Sequence, residues 1–236
     1  MKRLSACLIT FNEEHNLPRA LASHAGIADE IVVVDSGSTD RTAEIAKAHG
    51  VSFFERPFNN HADQKNYAAS CARNNWIFLL GADEGMSSDL RNSLLEWKER
   101  EPEFPVYEMA RLTWYLGAWI QHSRWYPDFQ QSLYRRDKAN FSGMIHSALR
   151  FEGKAGRLSG ALLHYTIRTF ADHEAKVECY TTVIAHELFS PGKRSWRAAK
   201  WLAAPGTGFR ITCCISDFST AIADGSSRGW RRAGRG

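Results

Sequence analysis

Residues 31–40 read Ile31-Val32-Val33-Val34-Asp35-Ser36-Gly37-Ser38-Thr39-Asp40: four β-branched residues that empty into an acidic, turn-forming sequence. A short run apolar at every position reads as a strand buried on both faces, as in a parallel sheet. Asp-Ser-Gly-Ser supplies turn chemistry where that strand stops. The arrangement recurs on either side. Leu8-Ile9-Thr10 leads to Asn12-Glu13-Glu14, and Ile77-Phe78-Leu79-Leu80 leads to Ala82-Asp83-Glu84. Helix-like segments separate these runs. The order becomes strand 4–10, helix 16–25, strand 31–34, helix 39–49, strand 51–54, helix 61–73, strand 76–80, helix 88–100. Such alternation predicts a parallel sheet with right-handed crossovers. Ser38 or Thr39 is placed to cap the second helix, and Gly50 to end it. Ligands of open α/β sheets bind beyond the carboxyl ends of the strands. The three acidic clusters are therefore expected to converge on one crevice, suited to a metal ion and a hydroxyl-rich or diphosphate ligand.

After Pro102 and Pro105 the pattern changes. Residues 106–166 are rich in aromatics and broken by Gly and Pro, with strand-like stretches at 131–134 and 161–165. They read as the second half of the same domain, built from loops and a few mixed strands. Thr169-x-x-Asp172 has the form of a capping box and opens a helix to about Phe189. Residues 193–202 then alternate Lys193, Arg194, Arg197 and Lys200 with Trp196, Trp201 and Leu202. A basic, tryptophan-bearing helix suits an anionic membrane surface, or else is a solvated helix packing its tryptophans.

A chain of 236 residues suffices for one sizeable domain, and 44% hydrophobic with 24% charged residues is ordinary for a soluble one. No apolar run reaches the roughly 18 residues of a membrane span. Met1-Lys2-Arg3 before Leu4–Thr10 faintly resembles a secretory leader, but without a small-residue cleavage site a first strand is expected. Five cysteines with no Cys-x-x-Cys argue against a disulfide framework and a zinc site, and fit a reducing cytosol. Residues 206–236 hold five arginines against two aspartates, which accounts for three of the four net positive charges. The basic balance thus makes no case for nucleic acid. No Gly-x-Gly-x-x-Gly or Gly-x4-Gly-Lys-Ser/Thr occurs, so neither a Rossmann dinucleotide site nor a P-loop is supported.

Thr10-Phe11-Asn12-Glu13-Glu14, Val34–Asp40, Gln64-Lys65-Asn66 and Ala82-Asp83-Glu84, in this order and spacing, resemble an inverting family 2 glycosyltransferase of the GT-A fold. Trp125-Tyr126-Pro127-Asp128, Leu133-Tyr134-Arg135-Arg136, Ile145-His146 and His164-Tyr165 narrow the likeness to bacterial lipopolysaccharide-core glucosyltransferases, over about residues 3–200. The resemblance implies an α/β GT-A domain over 1–190, a donor half to about 100 and an acceptor half beyond, and a C-terminal helical segment at 191–205. It implies transfer of a hexose, glucose first, from a UDP-sugar to an inner-core sugar of lipopolysaccharide. Mg²⁺ or Mn²⁺ would neutralise the departing diphosphate.

The same resemblance assigns roles. Asp35 would accept a hydrogen bond from the nucleotide base, although Asp-Ser-Gly-Ser alone reads equally as a turn. Thr10, Asn12, Glu13, Ser36, Lys65 and Asn66 would join it in binding the donor, and Asp83 would hold the metal. His146 is the histidine expected to complete the metal shell or meet the diphosphate, with His164 the weaker candidate; either also reads as a structural histidine. Asp128 is the expected catalytic base, taking the acceptor hydroxyl's proton during inversion, with Trp125 and Tyr126 as faces for an acceptor sugar. Arg135 and Arg136 are further candidates to face phosphates.

Two departures stand out. The family's Asp-x-Asp reads Gly81-Ala82-Asp83 here, and Ser147 stands where an acid tends to follow the first histidine. They leave two readings: a working transferase, or a sugar-nucleotide-binding remnant impaired in turnover. Beyond Pro205 the likeness ends in Cys213-Cys214 and a Gly/Ser/Arg-rich run. That change reads as a frameshift near residues 203–208 and a disordered tail over 206–236. The expected location is cytoplasmic, with peripheral contact to the inner membrane through the basic helix.

Overall fold

The computed structural model describes residues 1–122, 125–143 and 147–188. The expected helical segment at 191–205, the tail at 206–236 and His146 lie outside the described residues. Strands β1 (Leu4–Thr10), β2 (Glu30–Asp35), β3 (Ser52–Glu55) and β4 (Trp76–Gly81) form the parallel part of the sheet, in the order β3-β2-β1-β4. Helices α1 (Leu17–His24), α2 (Thr42–Ala48) and α3 (His61–Cys71) make the crossovers. Every residue of β1 is buried. Its alternate side chains feed opposite faces: Cys7 and Ile9 pack with Ala68 and Ala69 of α3, whereas Ala6 and Leu8 pack with Leu17 and Leu21 of α1. Each such buried aliphatic contributes about 1.5–3 kcal/mol of transfer free energy.

Beyond β4 the expected parallel character gives way. The chain continues through β5 (Glu84–Met86), α4 (Ser88–Glu99), β6 (Val106–Tyr115), β7 (Ala118–Ile120), β8 (Asp128–Arg135), β9 (Ala139–Ser142), β10 (Ala148–Phe151), β11 (Gly156–Ile167) and α5 (Phe170–Leu188). The sheet extends as β4-β8-β6-β11-β5, with β7 on β6. β8 is antiparallel to both neighbours, while β6 and β11 are parallel. β9 and β10 form a separate two-stranded sheet. One irregularity matters for the site. Tyr107 pairs with Leu133 but Glu108 pairs with Gln131, so Ser132 is an extra residue in β8. Such a bulge switches the face on which all later side chains stand.

The capping box at Thr169 forms as expected: Thr169 Oγ1 accepts from the Asp172 amide, and Asp172 Oδ2 accepts from the Thr169 amide. The expected cap of α2 does not form. Asp40 Oδ1 accepts from the Thr42 amide instead, because Ser38 and Thr39 are engaged with Asn12 and Asp35. Gly50 follows α2 with φ +66°, the left-handed conformation a helix end favours.

Helix α4 is fastened to β11 at its first turn. Ser87 Oγ accepts from the Leu90 and Ala161 amides. Gly160, at φ +88°, allows this close approach, since a Cβ there would lie 2.1 Å from the Leu90 nitrogen. Gly160→Ala is therefore expected to destabilise the protein by about 3 kcal/mol, combining backbone overlap with a left-handed φ. Urea unfolding followed by circular dichroism measures it.

Candidate functional site

The carboxyl ends of β1 and β2 are laced together by side chains of their own loops. Thr10 Oγ1 donates to Asp35 Oδ1 at 2.8 Å. Asp35 also accepts from the Gly37 and Ser38 amides and from the Ser38 hydroxyl, at 2.9, 2.7 and 2.5 Å. A carboxylate offers about four acceptor positions, and these donors occupy them. Asp35 thus shapes its own turn, and contact with a base would require one donor to be released. Asn12 binds the neighbouring loop twice, its amide donating to Ser38 Oγ and its Oδ1 accepting from the Thr39 amide. Ser36 accepts from Gln64 of α3 at 3.1 Å. The structure brings Thr10, Asn12, Asp35 and Ser36 together around the carboxyl ends of β1 and β2.

A cavity of about 420 Å³ opens beside these tips, lined by Lys65, Gly81, Glu84, Arg111, Asp128, Gln130, Gln131 and Ser132 over an apolar floor of Ile9, Leu79 and Leu80. Asp128 begins β8, just after the cis Tyr126–Pro127 peptide. Its Oδ2 accepts from Arg111 Nε at 3.0 Å and Nη2 at 2.6 Å, and its Oδ1 accepts from Gln130 Nε2 at 3.0 Å. Arg111 is buried, and its Nη1 lies 3.7 Å from Glu84 Oε1. Glu84 Oε2 in turn accepts from the Gly81 amide at 2.8 Å. Lys65 donates to Ser147 at 2.8 Å across the cavity mouth.

Asn66 lies on α3 one residue from Lys65, but its side chain is spent elsewhere. Its Nδ2 donates to the Phe141 carbonyl and its Oδ1 accepts from the Phe141 amide, both at 2.8 Å. This pins α3 to β9. Asn66→Ala would strand two part-buried backbone groups and is expected to destabilise by about 2 kcal/mol. A thermal melt checks this.

Asp83 stands in a separate, tighter cluster. It is 2% exposed, and His164 Nε2 of β11 lies 3.1 Å from its Oδ2. Pairing of β11 with β5 sets this meeting, His164 facing Glu84 in register and the Tyr165 amide donating to the Asp83 carbonyl. Asp83 Oδ1 and His164 Nδ1 are both buried, with no hydrogen-bond partner among the described residues. Burial pulls the Asp83 carboxyl upward, but His164, Lys176 and Arg111 outweigh it and hold the group low. Glu13 is pushed up to about 8 by burial and by the Asp83 charge. Lys176 reaches in from α5, donating to Thr166 Oγ1 at 2.6 Å, and burial lowers its ammonium. Arg19 lies over the Tyr165 ring, 3.6 Å from its centroid.

The remaining candidates are more scattered. Trp125 packs edge-on against Tyr115 at 5.5 Å. The cavity lining includes Asp128 and Phe129 but neither Trp125 nor Tyr126 among the described residues. Arg135 pairs with Asp137, and Arg136 donates to the Ala69 and Ala72 carbonyls at the end of α3, so both are structural rather than phosphate-facing. Arg111 was not among the expected site residues, and Glu84 was expected at the crevice only as part of its acidic cluster, with no role of its own. The available signal was an arginine within the apolar strand sequence Met109-Ala110-Arg111-Leu112, since a buried arginine needs carboxylate partners.

Residues 5–153 match the family described as Glycosyl transferase family 2. An uncharacterized glycosyltransferase of Rickettsia typhi is 30% identical over 208 residues, covering 82% of this chain and 70% of that one. The lipopolysaccharide core biosynthesis glycosyltransferase LpsC of Rhizobium meliloti is 31% identical over 199 residues, covering 81% of this chain and 73% of that one. The crystal structure of S. aureus TarS 1-349 is similar in fold, with TM-score 0.51 at 16% identity, over 84% of this chain and 68% of that one.

Proposed function

The chain belongs to glycosyl transferase family 2 and has a GT-A fold, and from that we propose that it transfers a hexose, glucose first, from a UDP-sugar to an inner-core sugar of lipopolysaccharide with inversion. The observation that carries the reading is Asp128, a carboxylate facing the cavity beside the strand tips and held from behind by Arg111. As the acceptor oxygen bonds to the anomeric carbon, Asp128 takes the proton that oxygen loses. The bond from that carbon to UDP breaks, and its electron pair leaves with the diphosphate. The products are an inverted glycoside, UDP and a proton on Asp128. The acceptor class rests on the similarity to LpsC.

The residues fit a divalent cation at the tip of β4. Asp83 presents a buried Oδ1 without a partner among the described residues, with His164 beside it. Among the described residues no group of three or more acidic, histidine or cysteine side chains is arranged around a metal. Mg²⁺ is commonly held by one or two carboxylates with substrate phosphates and water, and Asp83 would supply one. We assign Asp83 and His164 to the cation, His146 lying outside the described residues. Mg²⁺ or Mn²⁺ bound there would offset charge on the leaving diphosphate. Thr10, Asn12, Asp35 and Ser36 form the wall nearest the nucleotide base, Glu13 and Lys65 flank the diphosphate and sugar, and Trp125 and Tyr126 lie toward the acceptor. Asn66 acts by fixing α3.

Donor and acceptor halves, split near residue 100, together make one catalytic unit to about residue 190. No helix of the described residues is long and apolar enough to cross a membrane. A lipid-borne acceptor would bring the chain to the cytoplasmic face of the inner membrane as a peripheral protein.

Gly81 supports a second reading, a remnant that binds sugar nucleotide without turnover, because the acid expected at that strand tip is missing. Thermal-shift titration with UDP and UDP-glucose, with and without Mn²⁺, tests nucleotide binding. A metal-dependent rise is expected, and no shift with either ligand would contradict both readings. Gly81→Asp separates them: turnover appearing only in that variant would establish the remnant.

A further inference from the structure

We propose that Arg111 is the positioning residue for Asp128, aiming its carboxylate into the cavity and fixing it relative to the tip of β4. This rests on the reading of Asp128 as the base. Three features carry it. Arg111 places two donors, Nε and Nη2, on the same Asp128 oxygen, at 3.0 and 2.6 Å, so the carboxylate cannot swivel without breaking a charge-assisted fork. Oδ1 of this cavity-lining residue accepts, among the described residues, from Gln130 at 3.0 Å. The third guanidinium nitrogen, Nη1, lies 3.7 Å from Glu84, whose other oxygen takes the Gly81 amide. One planar group therefore spans from the candidate base on β8 to the strand tip two residues before Asp83.

The backbone is built for this pairing. Arg111 stands directly opposite Asp128 in the β6–β8 register, and cross-strand partners share a face. Leu133 and Tyr107, also opposite each other, lie in the core cluster on the α4 side with Met109. Without the extra residue at Ser132, keeping Leu133 on that face would put Asp128 on the other one, away from Arg111. The bulge thus serves the pair.

Lysine keeps the charge but not the fork. With Arg111→Lys in the full chain, kcat for UDP release should fall about 100-fold while donor KM stays within about twofold, since a misplacement near 1 Å costs on that order. The assay uses whichever of UDP-glucose, UDP-galactose or UDP-N-acetylglucosamine is turned over fastest, with core oligosaccharide as acceptor. Combined with Asp128→Asn, Arg111→Lys should cause little further loss, because its proposed effect on turnover runs through that carboxylate. Multiplying losses, or a KM rise at unchanged kcat, would overturn the proposal. Asp128→Asn with unchanged turnover would instead refute Asp128 as base. Gln130→Leu leaves Arg111 untouched: a loss of only a few-fold is expected, and a loss as deep as that of Asp128→Asn would overturn Arg111 as the aiming group. A crystal structure of Arg111→Lys adds a readout independent of turnover. Asp128 should have rotated away while the Gly81–Glu84 hydrogen bond persists, and an unmoved Asp128 would contradict the proposal.

Discussion

Asp128→Asn is expected to lower kcat by about 10²–10⁴-fold, the range a positioned general base supplies, while UDP affinity stays within about twofold. The reasoning is geometric. Asparagine keeps the shape and one oxygen, so Gln130 and Arg111 can still be partly satisfied, but it cannot take a proton. The proposed nucleotide wall at Thr10, Asn12, Asp35 and Ser36 is built from other strands and should not move. Steady-state kinetics with a parallel UDP titration separates the two effects. Equal losses in turnover and in UDP affinity would place Asp128 in donor binding instead.

Asp83→Ala is expected to remove the metal-dependent part of UDP binding, weakening affinity in Mn²⁺ by about 100-fold and leaving the metal-free affinity nearly unchanged. Asp83 is buried against His164, so truncation also leaves an uncompensated cluster in which Lys176 and Arg19 have lost a nearby anion. Asp83→Asn preserves the packing and serves as the control for folding. His164→Ala should act in the same direction with a smaller effect. Isothermal titration with UDP, with Mn²⁺ and with chelator, measures all three. An Asp83→Asn protein that binds UDP as tightly as the parent in Mn²⁺ would show that the cation is held elsewhere.

Much of the donor half is legible in the chain because β1, β2 and β4 are largely buried on both faces. Val32, Val33 and Val34 are consecutive buried valines with no polar residue between them, and β1 to β4 fall within a residue or two of their expected positions. The later strands are less legible for a physical reason. β11 pairs with β6 and β5 across long sequence separations, and no local pattern announces it. That pairing brings His164 to Asp83, 81 residues away, whereas the sequence reading favoured His146. The bulge at Ser132 is equally silent, although it decides which face Asp128 shares. Ser38 and Thr39 look like caps for α2 because a local reading cannot see Asn12 arriving from another loop. Asn66 and Arg136 read as ligand-facing polar residues, yet each satisfies backbone groups of a neighbouring element.

The anomeric configuration of the product tests the central claim most directly. UDP-glucose with the full chain, Mn²⁺ and lipopolysaccharide core oligosaccharide would be followed by proton NMR of the glycoside formed. The account predicts a β-linked glucose from the α-linked donor, absent with Asp128→Asn. An α-linked product, or UDP binding with no acceptor-dependent turnover from any of the three sugar nucleotides, would contradict it.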